Sequence, residues 1–110
     1  MVRTSLNACT KNMVSSRIYR LAPRADADLE GIWSYSASQW SPAKADDYIA
    51  ELLVAFADLA DGTRTGSPTT ARSDYRRLLV GSHAIFYRET SARIDVIRVL
   101  HQNMDVRRHL

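Results

Sequence analysis

The sequence predicts an α+β domain of order β-α-α-β-β-β, a helical hairpin packed on a mostly antiparallel four-stranded sheet. Three observations lead there. Two consecutive segments carry apolar residues at helical spacing, with only Ser41-Pro42 between them. Three alternating, β-branched segments follow, joined by short turns. One further alternating segment stands ahead of the helices.

The first segment is Arg17-Ile18-Tyr19-Arg20-Leu21, and Ala22-Pro23 ends it. Residues 24–39 then show helical spacing, with Ala25, Leu29, Ile32, Trp33, Ser36 and Trp40 on one face. This places both tryptophans in the core. Asp26, Asp28 and Glu30 fall in the first turns, where the helix dipole favours negative charge. Ser41 and Pro42 suit the N-cap and N1 positions of a second helix. Its apolar face runs from Ala45 through Tyr48, Leu52 and Phe56 to Ala60, and Gly62 suits a left-handed stop. A link this short makes the helices antiparallel neighbours.

Residues 61–74 read as a long polar loop. Tyr75 to Val80 forms a strand, Gly81-Ser82 a two-residue hairpin turn, and His83 to Glu89 the next strand. Within it Ile85 and Tyr87 share one face, and Ala84, Phe86 and Arg88 the other. Thr90-Ser91-Ala92 turns again, and Arg93 to Leu100 is the last strand. From His101 the pattern dissolves into a polar tail that includes Met104 and His109.

A chain of 110 residues suits one domain. Residues 17–110 are expected to form it, and residues 1–16, with no period and few apolar groups, to be a disordered extension. No run approaches the ~20 apolar residues of a membrane span. The N-terminus lacks the apolar centre of a secretory signal. Cys9 is the single cysteine, so no internal disulfide forms, and no CxxC or Cys/His cluster marks a zinc site. A cytoplasmic protein without cofactor or metal is expected.

The formal charge of +3 conceals three blocks. Residues 1–24 hold five Lys/Arg and no acid, and residues 25–61 hold Lys44 against eight acids. Residues 62–110 hold nine arginines against four acids. Only Lys11 and Lys44 are lysines. An all-arginine C-terminal half favours forked contacts to carboxylate or phosphate, and so an anionic partner. Solvated arginines stacked on a sheet explain the same composition.

No GxSxG, P-loop, HExxH or dinucleotide fingerprint is present. The main constellation is therefore cationic. Arg76 and Arg77 point to opposite faces of their strand, so one should stand on the face the helices leave open. Arg88 and Arg98 lie on neighbouring strands, and Arg72 in the preceding loop completes a patch able to grip phosphates. His101, at the end of the last strand, is the candidate acid or base for phosphodiester cleavage. A histidine that caps the strand by hydrogen bonding is the simpler account of it. His83 reads as structural, and Tyr87 as either a core edge or an exposed hydroxyl.

Several blocks resemble the RelE/ParE superfamily of type II toxin–antitoxin toxins, the ParE branch in particular. They are Tyr19-Arg20-Leu21-Ala22-Pro23, Asp28-Leu29 with Ile32-Trp33, Ala45-Asp46-Asp47-Tyr48-Ile49, and Tyr75-Arg76-Arg77-Leu78. Gly81-Ser82-His83-Ala84-Ile85-Phe86-Tyr87-Arg88 and Ile94 through Asp105 complete the likeness. The resemblance implies a non-catalytic inhibitor of DNA gyrase that blocks replication. It also implies a ParD-like antitoxin in a hetero-oligomer, with DNA contacted only through antitoxin or gyrase. The alternative within the superfamily is a RelE-like, ribosome-dependent mRNA endoribonuclease. That activity would rest on His101, Arg88 and Arg98, but no lysine follows Lys44, where RelE relatives use lysines. Arg72, Arg76, Arg77, Arg88, Arg98, His101 and Met104 are the expected antitoxin or target contacts. On this reading Leu100 through Asp105 is a recognition surface, and catalysis by His101 takes second place.

Overall fold

In the computed structural model, which describes residues 18–69 and 74–102, two helices pack on a five-stranded sheet. The elements are β1 (Ile18–Leu21), α1 (Pro23–Gln39), α2 (Pro42–Asp61), β2 (Ser67–Pro68), β3 (Arg76–Val80), β4 (His83–Glu89) and β5 (Arg93–His101). The sheet order is β1-β5-β4-β3-β2. Only β1 and β5 pair in parallel, so the sheet is mostly antiparallel as expected. The disorder expected of residues 1–16, and the candidates Arg72 and Met104, lie outside the described residues. No helix is long and apolar enough to cross a membrane, among the described residues.

The sequence-based count of four strands is short by one. Ser67–Pro68 pairs with Arg77 and Arg76 inside the stretch read as a loop. Proline cannot donate to a ladder, so such a segment survives only as a short edge strand and leaves no alternating pattern. Gly66, just before it, is crowded: a Cβ there would lie 2.5 Å from the Arg77 carbonyl oxygen.

The helices start and stop as their sequences dictate. Pro23 occupies the first turn of α1. The Ser41 hydroxyl accepts from the Lys44 amide at 3.1 Å, and Gly62 closes α2 at φ 86°. One face of the hairpin buries Ala25, Leu29, Leu52, Phe56 and Leu59 against Ile85, Tyr87, Ile94, Val96 and Val99. Each large side chain buried there contributes about 1.5–3 kcal/mol. On the opposite sheet face Ala84, Phe86 and Leu100 form a second, smaller buried cluster. The tryptophans correct the helical-wheel reading. Trp33 is 37% and Trp40 64% exposed, and the small Ser36 is the buried residue between them. Trp33 meets solvent because its indole Nε1 donates to Asp46 of α2 at 2.8 Å.

Strand β5 is held differently along its length. Its first half pairs with β1 through Val96, and the Ala22 amide donates to the Val96 carbonyl. Its register with β4 then shifts between Phe86 and Tyr87, a bulge that sets Arg98 opposite Phe86. Beyond that point Asp28 of α1 takes over from β1. Its carboxylate accepts from Arg98 Nε at 2.7 Å, Arg98 Nη2 at 2.9 Å and the Val99 amide at 3.0 Å. Both side chains are about 15% exposed. The carboxylate raises the Arg98 pKa, so the guanidinium keeps its charge.

Breaking such a pair leaves a charge without a partner. Arg98→Met is therefore expected to cost about 3 kcal/mol, read as a lower urea midpoint with an unchanged slope. A loss under about 0.5 kcal/mol would place this contact in the class of ordinary surface pairs.

Candidate functional site

The arginines do not gather as the sequence suggests. Arg77 stands opposite Phe86 and Arg88 opposite Asp95, on the sheet face away from the helices. Arg76 stands opposite Tyr87 and shares the helix-facing side. There its guanidinium donates to the Gly66 carbonyl at 3.0 Å and lies 3.8 Å from Glu89. Arg98 is turned to Asp28. It stands opposite Phe86 on the same face as Arg77, yet its guanidinium turns past the free edge of β5 to Asp28 and is not offered to a common patch.

Two arginines outside the expected set take its place. Arg20 of β1 aligns with Asp95 of β5, and Arg93 Nε donates to the Asp95 carboxylate at 2.8 Å. Arg88 approaches the same carboxylate at 3.9 Å. One half-buried acid thus holds Arg93 and draws in Arg88, with Arg20 beside it in register and exposed Arg77 farther along the same face. The cations outnumber the acid, so this face retains positive charge. Its signal in the sequence is Arg20 between the inward Tyr19 and Leu21. It becomes legible only once β1 is known to lie beside β5.

The second constellation surrounds the β3–β4 turn. Gly81 sits at φ 57°, and a Cβ there would lie 2.7 Å from the Tyr48 ring. The close approach lets the Tyr48 hydroxyl serve the hairpin. It accepts from the Ser82 amide at 3.1 Å, donates to the Val80 carbonyl at 3.3 Å, and lies 2.6 Å from His83 Nδ1. Burial raises the Tyr48 pKa, the Ser82 amide opposes that, and Glu51 adds to it. Burial also lowers the His83 pKa, and nearby His101 lowers it further against the pull of Asp28. His83 therefore belongs to the structure through Tyr48. His101 is its direct cross-strand partner, with ring centroids 5.4 Å apart. Gln102 closes the same end by donating to the Gly81 carbonyl at 2.8 Å.

Two grooves flank this histidine pair. One of about 360 Å³ runs beneath α1 past Asp28 and Ile32. The other, about 330 Å³, is walled by Tyr35, Trp40 and Tyr48. On the opposite face, Arg77, Leu79 and His101 border a smaller groove of about 200 Å³. Tyr87 is settled as a core residue, 1% exposed, whose hydroxyl accepts from the Gly66 amide at 2.8 Å.

Comparison with known proteins gives a consistent pattern. Residues 19–106 match the family model described as the ParE toxin of the type II toxin–antitoxin system parDE. Toxin ParE1 of Caulobacter vibrioides is 45% identical over 93 residues, covering 84% of this chain and 96% of its own. Toxin ParE1 of Mycobacterium tuberculosis is 46% identical over 99 residues, covering 88% of this chain and 100% of its own. Among solved structures, a chain of the chromosomal ParDE system from P. aeruginosa superposes with a TM-score of 0.70 at 17% identity. That match covers 80% of this chain and 98% of the other. A chain of the RelBE2 toxin–antitoxin complex from Mycobacterium tuberculosis gives 0.54 at 20% identity, covering 86% and 100%. At these identities the two structures speak for the fold.

The Tyr48 hydroxyl gives a direct test of the turn. Tyr48→Phe strands the Ser82 amide and is expected to cost about 1–2 kcal/mol, read by thermal or urea unfolding. An unchanged midpoint would mean that the hydroxyl contributes no net stability to the hairpin.

Proposed function

This chain belongs to the family of ParE toxins of type II toxin–antitoxin systems, and from that premise we propose that it inhibits DNA gyrase. In this reading it acts in the cytoplasm as a non-catalytic poison that traps gyrase on cleaved DNA and blocks replication. A ParD-like antitoxin neutralises it by forming a hetero-oligomer. The observation that carries the non-catalytic reading is the commitment of Arg98 to Asp28. Phosphodiester cleavage needs a phosphate clamp and a general base converging on one open site. Here Arg98 serves the fold, Arg76 holds the Gly66 loop, and Arg88 lies beside Asp95. No lysine follows Lys44 to substitute for them.

The second reading, a ribosome-dependent mRNA endoribonuclease, draws support from Arg77 and His101 bordering one groove. Purified gyrase separates the two. The gyrase reading expects loss of supercoiling and accumulation of cleavage complexes on adding the protein, with ribosome-bound mRNA left intact. Unaffected gyrase together with cut mRNA overturns it.

An antitoxin must cover charge as well as apolar surface. The ParDE and RelBE2 relatives support such a partner by their descriptions as a toxin–antitoxin system and complex. Acidic antitoxin residues are expected to meet Arg76, Arg77 or Arg88. Arg77→Glu should then weaken antitoxin binding about tenfold or more, equivalent to about 1.4 kcal/mol. A complex that buries none of the three arginines contradicts this assignment.

A further inference from the structure

We propose that His83 and His101 form a two-imidazole site for a borderline divalent transition-metal ion of the Zn²⁺ type, open to the grooves on either side of the pair. The two residues are direct partners across β4 and β5. The Gln102 amide donates to the Ser82 carbonyl, which makes them a non-hydrogen-bonded pair, the kind whose side chains stand closest. Their ring centroids lie 5.4 Å apart. With a metal–nitrogen bond of about 2.0–2.1 Å, each ring centre would stand about 3.2 Å from a shared ion. The rings stand edge to face at 80°, and once each turns a nitrogen to the ion this separation accommodates a nitrogen–metal–nitrogen angle of about 115°, near the tetrahedral value zinc prefers.

The surroundings accommodate the tautomer that such a site needs. A phenol oxygen has one proton and two lone pairs. With the Ser82 amide on one lone pair of Tyr48 and the phenol proton turned to the Val80 carbonyl, the other lone pair can accept from His83 Nδ1–H, and a metal ion on Nε2 would select this arrangement over the one in which the phenol donates to Nδ1. The lone pair of the ring then sits on Nε2. An oriented ring whose second nitrogen donates to a fixed oxygen is the usual setting of a metal-bound histidine. Imidazole selects zinc, copper and nickel over magnesium or calcium. Among the described residues no group of three His, Cys, Asp or Glu comes together. The site therefore supplies two protein ligands, and water fills the remaining positions.

The test uses the full chain without a histidine tag, in a Cys9→Ser/His109→Ala background that removes the other soft ligands. Calorimetric titration with Zn²⁺ alone should show one ion per chain. Copper(II) loaded at the same stoichiometry should show nitrogen couplings in its paramagnetic resonance spectrum. His101→Ala and His83→Gln should each weaken binding about tenfold or more, and Tyr48→Phe less, as for loss of an outer-shell partner. Circular dichroism identifies the folded variants, and exposed His101 provides the variant least tied to folding. Three results overturn the proposal: no saturable binding at millimolar Zn²⁺, binding unchanged in folded His101→Ala, or binding already lost in the background chain. Each is independent of whether gyrase is the target.

Discussion

Asp28 is the point at which strand pairing gives way to a side chain. β1 is only four residues long and leaves the second half of β5 without a partner on that edge. A bare edge amide costs stability and invites unwanted pairing. Asp28 answers both by taking the Val99 amide and the Arg98 fork with one carboxylate. The contact joins α1 to the central part of β5, so it fixes how far the hairpin reaches over the sheet. The groove beneath α1, which opens onto the histidine pair, follows from that placement. A buried ion pair of this kind need not add net stability over apolar residues, but it selects one arrangement, because neither charge tolerates being left alone.

The same contact divides the arginines by role. With Arg98 held at the strand edge by Asp28, the cationic face rests on Arg20, Arg77, Arg88 and Arg93, with Arg88 and Arg93 drawn to Asp95. Such a face offers preset forks to an acidic segment without presenting a converged catalytic centre. The helix-facing edge is different in kind. Tyr48, His83, His101 and the Gly81 turn form a hydrogen-bonded corner walled by exposed aromatic residues. Recognition of an antitoxin and of gyrase, as proposed, requires surfaces that one small chain can present separately. Two chemically distinct faces meet that requirement.

Much of this fold is legible in the sequence because local signals agree with the final structure. Pro23, Ser41-Pro42 and Gly62 bound the helices, and Gly81-Ser82 makes the hairpin. The alternation of Ile85 and Tyr87 against Phe86 and Arg88 survives intact. What escapes the sequence is non-local. Ser67–Pro68 has no strand pattern of its own and pairs only because Gly66 lets the chain approach β3. Trp33 and Trp40 have helical spacing suited to a core, yet Asp46 and the short inter-helix link leave them at the surface. The bulge in β5 and the turn of Arg98 past the free strand edge to Asp28 leave no trace in strand alternation. Arg20 and Arg93 become functional candidates only through the parallel pairing of the first and last strands.

The central claim is that Arg98 serves the fold while the toxin's action resides on other surfaces. The most direct measurement is growth arrest on expression of the double variant Asp28→Asn/Arg98→Met, which removes both charges and retains an oxygen acceptor for the Val99 amide. The account predicts a folded protein, more stable than Arg98→Met alone, that arrests growth as the parent does. A folded double variant that no longer arrests growth, although its level in the cell equals the parent's, would place Arg98 at the target and contradict the account.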